Sequence, residues 1–439
     1  MDTFVIEGGR RLYGRLRING SKNAALPLLC GVLLTDQPVV LRDIPELADI
    51  KNMLRLLSEL GCQRTTETPP GAQSVMTLHT SDASNSHARY DIVRTMRASI
   101  STLGPLLAKR GYARVSMPGG CAIGDRPVDL HLRGLAALGA HITLEGGDII
   151  AKAPAGGLRG ATIFLGGTFG STVLGTANVM CAAALAKGTT IIESAACEPE
   201  IADLADMLNK MGAKISGAGS PRLVIEGVKQ LGGTDHTVIP DRIEAGTFMM
   251  AAGITNGDMT IDNCPMDALM AATDKLSAMG IYCHKTPESN DPMRATVRVT
   301  CDRTLKPVEV TTQPHPGFPT DLQAQLMAVL CLADGNSVVT ERIFPDRFLH
   351  VAELSRMGAR LMRQGASVIV SGVRRLIGAP VMASDLRASA GLVLAGLAAE
   401  GTTVINRVYH LDRGYERMED RLTALGAHIK RIDEKELAD

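Results

Sequence analysis

The stretch MPGGCAIGDRPVDLH, residues 117–131, contains the residue best suited to chemistry, Cys121, in a glycine-rich loop. Arg126 follows it closely, and Pro127 suits the first turn of a helix. A guanidinium and a helix N-terminus both stabilise a thiolate, so Cys121 could be a reactive thiol. The alternative is a small apolar residue beside a turn, and the local sequence leaves both open. His131 stands too far along the chain to support a cysteine–histidine nucleophile pair.

Four arginines occur where a predicted strand ends or a predicted helix starts, namely Arg97, Arg347, Arg387 and Arg413. The planar guanidinium matches carboxylate and phosphate groups through two-point contacts. Each arginine taken alone is interpreted more readily as a surface residue. Their recurrence at equivalent places favours a shared anion-binding site.

Two further candidates stand at predicted helix starts. Lys22 and Asn23, in INGSKNAALPLL, follow a strand and begin an apolar helix, where free backbone amides also favour an anion. Asp321, in PHPGFPTDLQAQ, precedes another helix, and the sequence alone favours a helix N-cap there. A carboxylate beside arginines could also act as a general base.

The segment GGTFGST, residues 166–172, is rich in glycine and precedes a helix. It lacks the lysine of a phosphate-binding loop, and the chain contains no GxGxxG, so neither common nucleotide motif is present. Ser171 or Thr172 could cap the helix, whose first amides could then bind a phosphate. An ordinary tight turn explains the segment equally well.

Composition excludes several classes of protein. Among 439 residues, Lys+Arg and Asp+Glu are equal at 46 each, so no global field attracts nucleic acid. Trp is absent and aromatic residues are 3%, which removes base-stacking surfaces. The first residues lack a secretory apolar region, and no window approaches the roughly 18 apolar residues of a membrane span. Nine scattered cysteines without a CxxC pair predict a reducing cytoplasm rather than disulfides or zinc.

A helix ending of the form L-x-x-(L/M)-G recurs six times, about 70 residues apart. Its glycines, each a predicted left-handed residue after a helix, are Gly61, Gly139, Gly212, Gly280, Gly358 and Gly426. Strand-like runs and helices of small residues accompany most of them. The pattern therefore predicts six mixed α/β units, three to a domain, with helices inside and sheets outside. Chance recurrence is the alternative, and the even spacing disfavours it.

Eight segments in order resemble the enolpyruvyl transferases that act on UDP-N-acetylglucosamine. They are SKNAALP, TMRASISTLGPL, PGGCAIGDRPVDLH, PDRIEAGTF, HPGFPTDLQAQ, DRFLHVAELSRMGA, DLRASAGLVLAG and YHLDRGYERMED. The resemblance runs from the first residues to about residue 430. It implies an inside-out α/β barrel of six βαβαββ repeats in two domains, with the active site in the cleft between them. The domains would be 22–239 and the combination of 1–21 with 240–439.

The implied activity transfers the enolpyruvyl group of phosphoenolpyruvate to the 3′-hydroxyl of UDP-N-acetylglucosamine and releases phosphate. By the resemblance, Cys121 donates a proton and can bond covalently to phosphoenolpyruvate, and Asp321 is the base near the sugar hydroxyl. Lys22, Arg126 and Arg413 would hold the phosphate, with Arg387 near the carboxylate. The antibiotic fosfomycin would alkylate the thiol.

The resemblance also supplies a full set of substrate-binding residues. They are Lys22, Asn23, Arg97, Arg126, Pro127, Val128, Asp129, Leu130, Asp321, Ile343, Arg347, Arg387 and Arg413. Arg347 and Asp385 would either contact ligand or position neighbours. Family members often carry a lysine where this chain reads GGTFGSTVLG, so backbone amides around Thr168 to Thr172 would take over the diphosphate contact. No cofactor, metal, nucleic acid or membrane partner is implied.

Two other functions stay open. A sister transferase of the same fold acts on shikimate 3-phosphate, but it lacks the cysteine loop of PGGCAIGDRPVDLH. A repeat scaffold without catalysis would bind partners on its sheets. The scaffold would tolerate replacement of Cys121, whereas a transferase that uses this thiol would not.

Overall fold

A computed structural model describes residues 2–67, 74–118, 128–287 and 290–433. The predicted site residues Cys121, Arg126 and Pro127 lie outside the described residues.

The described chain alternates short strands and helices. The strands are β1 Asp2–Glu7, β2 Tyr13–Arg17, β3 Val39–Arg42, β4 Cys62–Glu67, β5 Val75–Thr80, β6 His87–Ala88, β7 Tyr112–Ser116, β8 His141–Glu145, β9 Asp148–Lys152, β10 Thr162–Phe164, β11 Gly166–Gly167, β12 Gly170–Ser171, β13 Thr189–Glu193, β14 Lys214–Ser216, β15 Arg222–Glu226, β16 Thr234–Thr237, β17 Asp258–Cys264, β18 Ile281–Lys285, β19 Ala295–Cys301, β20 Glu309–Thr311, β21 Asn336–Thr340, β22 Arg360–Gln364, β23 Ser367–Ser371, β24 Pro380–Met382, β25 Thr402–Asn406 and β26 His428–Asp433.

The α-helices are α1 Lys22–Gly31, α2 Ala48–Glu59, α3 Tyr90–Val93, α4 Leu103–Arg110, α5 Asp129–Ala137, α6 Val173–Ala184, α7 Pro199–Lys210, α8 Arg242–Ile254, α9 Met270–Met279, α10 Gln323–Leu330, α11 Leu349–Arg356, α12 Leu386–Ala398 and α13 Met418–Ala424. Short 3₁₀ turns cover Val32–Leu34, Arg97–Thr102, Met266–Leu269, Thr320–Leu322 and Val408–Arg413. No helix of the described ranges has both the length and the apolarity needed to cross a membrane.

Six four-stranded sheets share one pairing scheme, in which a parallel pair is followed by two antiparallel pairings. The sheet β6-β7-β9-β8 is an example, since β6 runs parallel to β7 while β9 runs antiparallel to both β7 and β8. Its parallel pair is joined through α4, because parallel neighbours require a crossover connection. The other sheets are β16-β3-β5-β4, β10-β13-β15-β14, β2-β17-β19-β18, β20-β21-β23-β22 and β24-β25-β1-β26.

Three of these sheets are completed by strands distant in sequence. β16 pairs with β3, β2 pairs with β17, and β1 lies between β25 and β26. Each pairing gives hydrogen-bond partners to strand edges that would otherwise be open.

The described chain forms two compact units. Unit I comprises residues 20–67, 74–118 and 128–239, and unit II comprises residues 2–19, 240–287 and 290–433. Each unit has its own hydrophobic core.

Helices of small and apolar residues lie inside each unit. In unit II, α8 and α10 are buried at every position, and both contact α12. In unit I, α6 contacts α1 and α4. A helix that is apolar on all sides is stable only when other elements surround it. Strands such as β5 alternate buried and half-buried residues, as expected of a sheet that covers a core on one face.

The six recurring glycines each follow a helix in the left-handed region, with φ between +85° at Gly61 and +103° at Gly212. The prediction of glycine after these helices is therefore confirmed. Without a Cβ, glycine adopts this conformation with little steric cost.

We expect Gly212→Ala to lower the free energy of unfolding by about 1–2 kcal/mol, since a left-handed backbone crowds a Cβ against its own carbonyl. The added methyl would meet no other atom within 4 Å, so the backbone conformation alone carries the cost. Gly232→Ala is the matched control, because its Cβ would make ordinary contact with Met211 O at 3.6 Å. Urea unfolding of both variants checks this, and equal losses would contradict it.

Candidate functional site

Asp321 lies in the middle of the 3₁₀ turn Thr320–Leu322, directly before α10. The N-cap positions of this turn and of α10 are Pro319 and Leu322, so the interpretation of Asp321 as an N-cap is wrong. Its carboxylate instead accepts hydrogen bonds from two arginines.

Arg347 and Arg387 hold the two oxygens of Asp321 separately. Arg347 Nη1 donates to Oδ1 at 2.8 Å, and Arg387 Nη2 donates to Oδ2 at 3.2 Å. Both guanidinium groups are buried, while the aspartate side chain is about one quarter exposed. Opposite charges at this distance favour the ionised carboxylate. The turn therefore presents a charged, oriented and accessible carboxylate.

Arg387 is fixed by aromatic and charged neighbours. Its guanidinium lies over the ring of Tyr415, 5.4 Å from the centroid. Burial acts to lower the pKa of Arg387, but Tyr415 and Asp321 outweigh it and hold that pKa above its usual value. The Tyr415 hydroxyl lies 2.9 Å from Thr247 Oγ1 and accepts from Gln325 Nε2 at 3.0 Å. A buried polar network of this kind restricts the guanidinium of Arg387 to one position and orientation.

The loop after β21 carries Ile343 and Arg347. The amide of Ile343 donates to the buried carboxylate of Glu341 at 2.8 Å. Arg347 Nη1 also donates to Thr320 Oγ1 at 3.0 Å, and its carbonyl accepts from Gln323 Nε2 at 3.2 Å. The loop is thus joined to the turn that contains Asp321.

Asp385 caps α12, since its Oδ1 accepts from the amides of Arg387 at 2.8 Å and Ala388 at 3.1 Å. Nearby His350 is buried, and burial lowers its pKa to about 4, with Arg347 adding to the decrease and Asp385 opposing it. His350 is therefore neutral at pH 7. Arg413 ends the 3₁₀ turn Val408–Arg413, two residues before Tyr415.

In unit I, Lys22 begins α1, as the sequence predicted, behind the N-cap Ser21. Its ammonium pairs with Asp49 at 2.7 Å, and both side chains are almost fully buried. Asn23 is the next residue of α1, and Arg97 begins the 3₁₀ turn Arg97–Thr102. Both lie at a helix start, as predicted.

Val128 is the N-cap residue of α5, and Asp129 and Leu130 form its first turn. β11 and β12 form a small antiparallel hairpin before α6, whose N-cap Thr172 accepts from Gly175 N at 3.2 Å. The predicted cap at Ser171 or Thr172 is therefore confirmed, at Thr172. Leu130 lies against this hairpin, because a Cβ on Gly167 would come 3.0 Å from Leu130 Cδ1.

Eight cysteines fall within the described residues, and burial is the largest influence on each thiol. It raises the pKa of all eight, namely Cys30, Cys62, Cys181, Cys197, Cys264, Cys283, Cys301 and Cys331. Thiols of raised pKa carry little thiolate at neutral pH and react slowly. The described ranges contain no group of three or more potential metal ligands.

The structure thus joins three of the predicted site residues, Asp321, Arg347 and Arg387, by direct hydrogen bonds. Sequence reasoning missed the residues that support them, above all Tyr415 and Glu341. Glu341 stands two residues before Ile343, but a single glutamate at a strand end carries no recognisable signal.

Known proteins are similar to this chain over nearly its whole length. The family model described as EPSP synthase (3-phosphoshikimate 1-carboxyvinyltransferase) matches residues 6–422. The fold is similar to the enolpyruvyl transferase NikO from Streptomyces tendae, with a TM-score of 0.86 and 24% identity over 98% of each chain. EPSP synthase from Acinetobacter baumannii superposes with a TM-score of 0.76 at 18% identity, covering 99% of this chain and 100% of that one. The α/β fold is therefore that of the enolpyruvyl, or carboxyvinyl, transferases.

Curated relatives are more similar to this chain in sequence than these two solved structures are. A UDP-N-acetylglucosamine 1-carboxyvinyltransferase from Anaeromyxobacter sp. (strain Fw109-5) is 52% identical over 98% of this chain and 99% of its own. One from Methylacidiphilum infernorum (isolate V4) is 49% identical over 99% of this chain and 100% of its own. The chain belongs to the UDP-N-acetylglucosamine 1-carboxyvinyltransferase family, and it is a transferase.

We expect His350 to make the protein less stable in acid. The unfolded chain binds a proton near the usual pKa of 6.5, whereas folded His350 does so only near 4. Stability is therefore lost as the pH falls from about 6.5 towards 4, and at pH 5 the loss is about 2 kcal/mol. Urea unfolding at pH 7.5 and pH 5.0 should show a smaller difference for His350→Asn than for the wild type. Equal differences would contradict the assignment.

Proposed function

We propose that this protein transfers the enolpyruvyl group of phosphoenolpyruvate to the 3′-hydroxyl of UDP-N-acetylglucosamine and releases phosphate, the first committed step of peptidoglycan synthesis. The observation that carries the proposal is about 50% identity, over nearly the whole chain, to transferases named for this acceptor. The paired carboxylate of Asp321 supports it independently, since the reaction needs a base beside a sugar hydroxyl.

Asp321 is the proposed base. The sugar hydroxyl must lose its proton as its oxygen bonds to C2 of the enolpyruvyl group. The arginines at 2.8 Å and 3.2 Å favour the charged carboxylate, which is the form that can accept a proton. They also prevent its rotation, so the accepting oxygen keeps one direction.

Cys121 is the proposed acid, which protonates C3 in the addition step and can also bond covalently to phosphoenolpyruvate. The proton on C3 is lost again when phosphate leaves. The raised pKa of the eight described thiols supports this assignment indirectly, because each of those thiols is a poor candidate for reaction.

Cationic side chains are proposed to bind phosphoenolpyruvate. Lys22, Arg126 and Arg413 would hold the phosphate, with Arg387 near the carboxylate. The pairing of Lys22 with buried Asp49 supports this role, since it fixes the ammonium at the N-terminus of α1, where the first amides also favour an anion.

The remaining predicted residues are proposed to bind the sugar nucleotide. They are Asn23, Arg97, Pro127, Val128, Asp129, Leu130, Ile343 and Arg347, with Asp385 as a positioning residue. The contact of Leu130 with the hairpin supports a diphosphate site formed by backbone amides around Thr168 to Thr172.

We further propose that the six sheets belong to six βαβαββ repeats in an inside-out barrel of two domains, 22–239 and 1–21 with 240–439. The identical strand pairing of the six sheets supports this. The proposed compartment is the cytoplasm, because scattered cysteines without a CxxC pair are typical of a reducing compartment.

The other candidate acceptor is shikimate 3-phosphate, the acceptor named in the description of the matching family model. We expect phosphate release from phosphoenolpyruvate with UDP-N-acetylglucosamine and none above background with shikimate 3-phosphate. A phosphate assay with each acceptor, and a control without acceptor, measures this. Turnover only with shikimate 3-phosphate would refute the proposed acceptor.

We expect fosfomycin to add one drug molecule to the wild-type chain in the presence of UDP-N-acetylglucosamine. It should add none to Cys121→Ser, because the remaining thiols are poorly ionised. Intact mass spectrometry measures both. Cys121→Ser should also greatly reduce turnover while it leaves UDP-sugar binding, measured by calorimetry, nearly unchanged. An unmodified wild type, or a serine variant with wild-type turnover, would count against Cys121.

A further inference from the structure

We propose that Glu341 and Thr320 are positioning residues, which couple the loop of Ile343 to the carboxylate of Asp321. The inference rests on the proposed function, in which the Ile343 loop contacts the sugar nucleotide and Asp321 is the base. Neither Glu341 nor Thr320 is itself expected to touch a substrate.

Glu341 is a completely buried carboxylate that organises the loop after β21. Its Oε1 accepts from the amides of Ile343 at 2.8 Å and Phe344 at 3.0 Å. The same oxygen accepts from Thr312 Oγ1 at 2.7 Å. These three bonds determine the path of the loop that carries Ile343.

The second oxygen connects Glu341 to the proposed base. Oε2 accepts from Thr320 Oγ1 at 2.9 Å. The same hydroxyl accepts from Arg347 Nη1 at 3.0 Å, and that nitrogen donates to Asp321 Oδ1 at 2.8 Å. A continuous chain of hydrogen bonds therefore runs from Glu341 through Thr320 and Arg347 to Asp321.

The direction of each hydrogen bond requires a carboxylate at position 341. Thr320 uses its single proton on Glu341 because its oxygen receives Arg347. Thr312 does the same because its oxygen receives the amide of Arg342 at 2.9 Å. All four neighbours of Glu341 are thus donors, and an amide in its place would set an N–H group against one of them.

Glu341 is one acceptor for donors from three separate segments, those of Thr312, Thr320 and the pair Ile343 and Phe344. The four direct partners of Glu341 within the described residues are neutral groups, and a buried charge without a direct countercharge is expensive. An apolar residue of the same size would remove the charge but would leave these four donors without an acceptor. The charge gives the loop and the base one shared anchor, so that the sugar-binding residue and the proton acceptor keep a constant separation.

Thr320→Val tests the link to the base alone. It removes the hydroxyl but keeps the shape, and kcat should fall roughly tenfold to hundredfold, as supporting-residue changes commonly do. The KM for UDP-N-acetylglucosamine should stay within about twofold, because the amides of Ile343 and Phe344 keep their acceptor. Thr320→Ser, which restores the hydroxyl, should recover most of kcat.

Glu341→Gln tests both ends of the chain of hydrogen bonds. Here kcat should fall and the KM for UDP-N-acetylglucosamine should rise, because the single oxygen of the amide cannot accept from both Thr320 and the amides of the loop, as the carboxylate does. Thr403→Val is the matched control. Thr403 is also fully buried in unit II, and its Oγ1 has no hydrogen-bond partner within the described part of the chain. It should therefore keep wild-type kinetic constants.

The inference is overturned if Thr320→Val keeps wild-type kcat, or if Thr320→Ser is as impaired as Thr320→Val. It is also overturned if a folded Glu341→Gln lowers kcat without raising KM. Circular dichroism and the thermal midpoint verify folding, and if Glu341→Gln does not fold, the two Thr320 variants decide. The turnover of the wild type tests the proposed function separately. If the wild type uses only shikimate 3-phosphate, the kcat and KM of each variant are compared with those of the wild type for that acceptor.

Discussion

The structure depends on one constraint, which is that polar groups at the ends of fully buried helices cannot be satisfied by water. In unit II, α8 and α10 are buried along their whole length, so their first turns must find partners inside the protein. Asp241 caps α8 through the amides of Ile243 and Glu244, and Asp385 caps α12 in the same way. The apolar cores thus have charged groups at the ends of their helices.

Charged groups placed there require further charges to pair with them. Burial raises the pKa of Glu244, and Arg421 opposes that shift through a direct ion pair while it also bonds to the carbonyl of Arg17. Asp321 before α10 is matched by Arg347 and Arg387. Buried ion pairs add little net stability compared with apolar residues, because both charges lose their hydration. Of this set, Asp321, Arg347, Arg387 and Asp385 are also among the proposed site residues.

A second feature of the architecture is strand closure, by which we mean that strands distant in sequence pair to complete a sheet. The first strands of the chain pair with strands more than 200 residues later, and β16 returns to pair with β3. Each unit is therefore assembled from segments distant in sequence. Within the described residues, each of the six large sheets has four strands. This closure completes sheets against which α8 and α12 pack, and α12 carries Arg387 in its first turn.

The amino-acid sequence by itself determined the features that depend on neighbouring residues. Rules that act within a few residues predict the glycines after six helices, the start of α1 at Lys22, the cap at Thr172 and the place of Arg97 and Arg387 at helix starts. The tertiary structure alone decided which charges meet. Asp321 looked like a helix cap locally, but its partner Arg387 is 66 residues away in the chain. Asp49, Tyr415 and Glu341 were missed for the same reason, because the partner of a buried charge is chosen by proximity in the folded core, which local sequence does not encode.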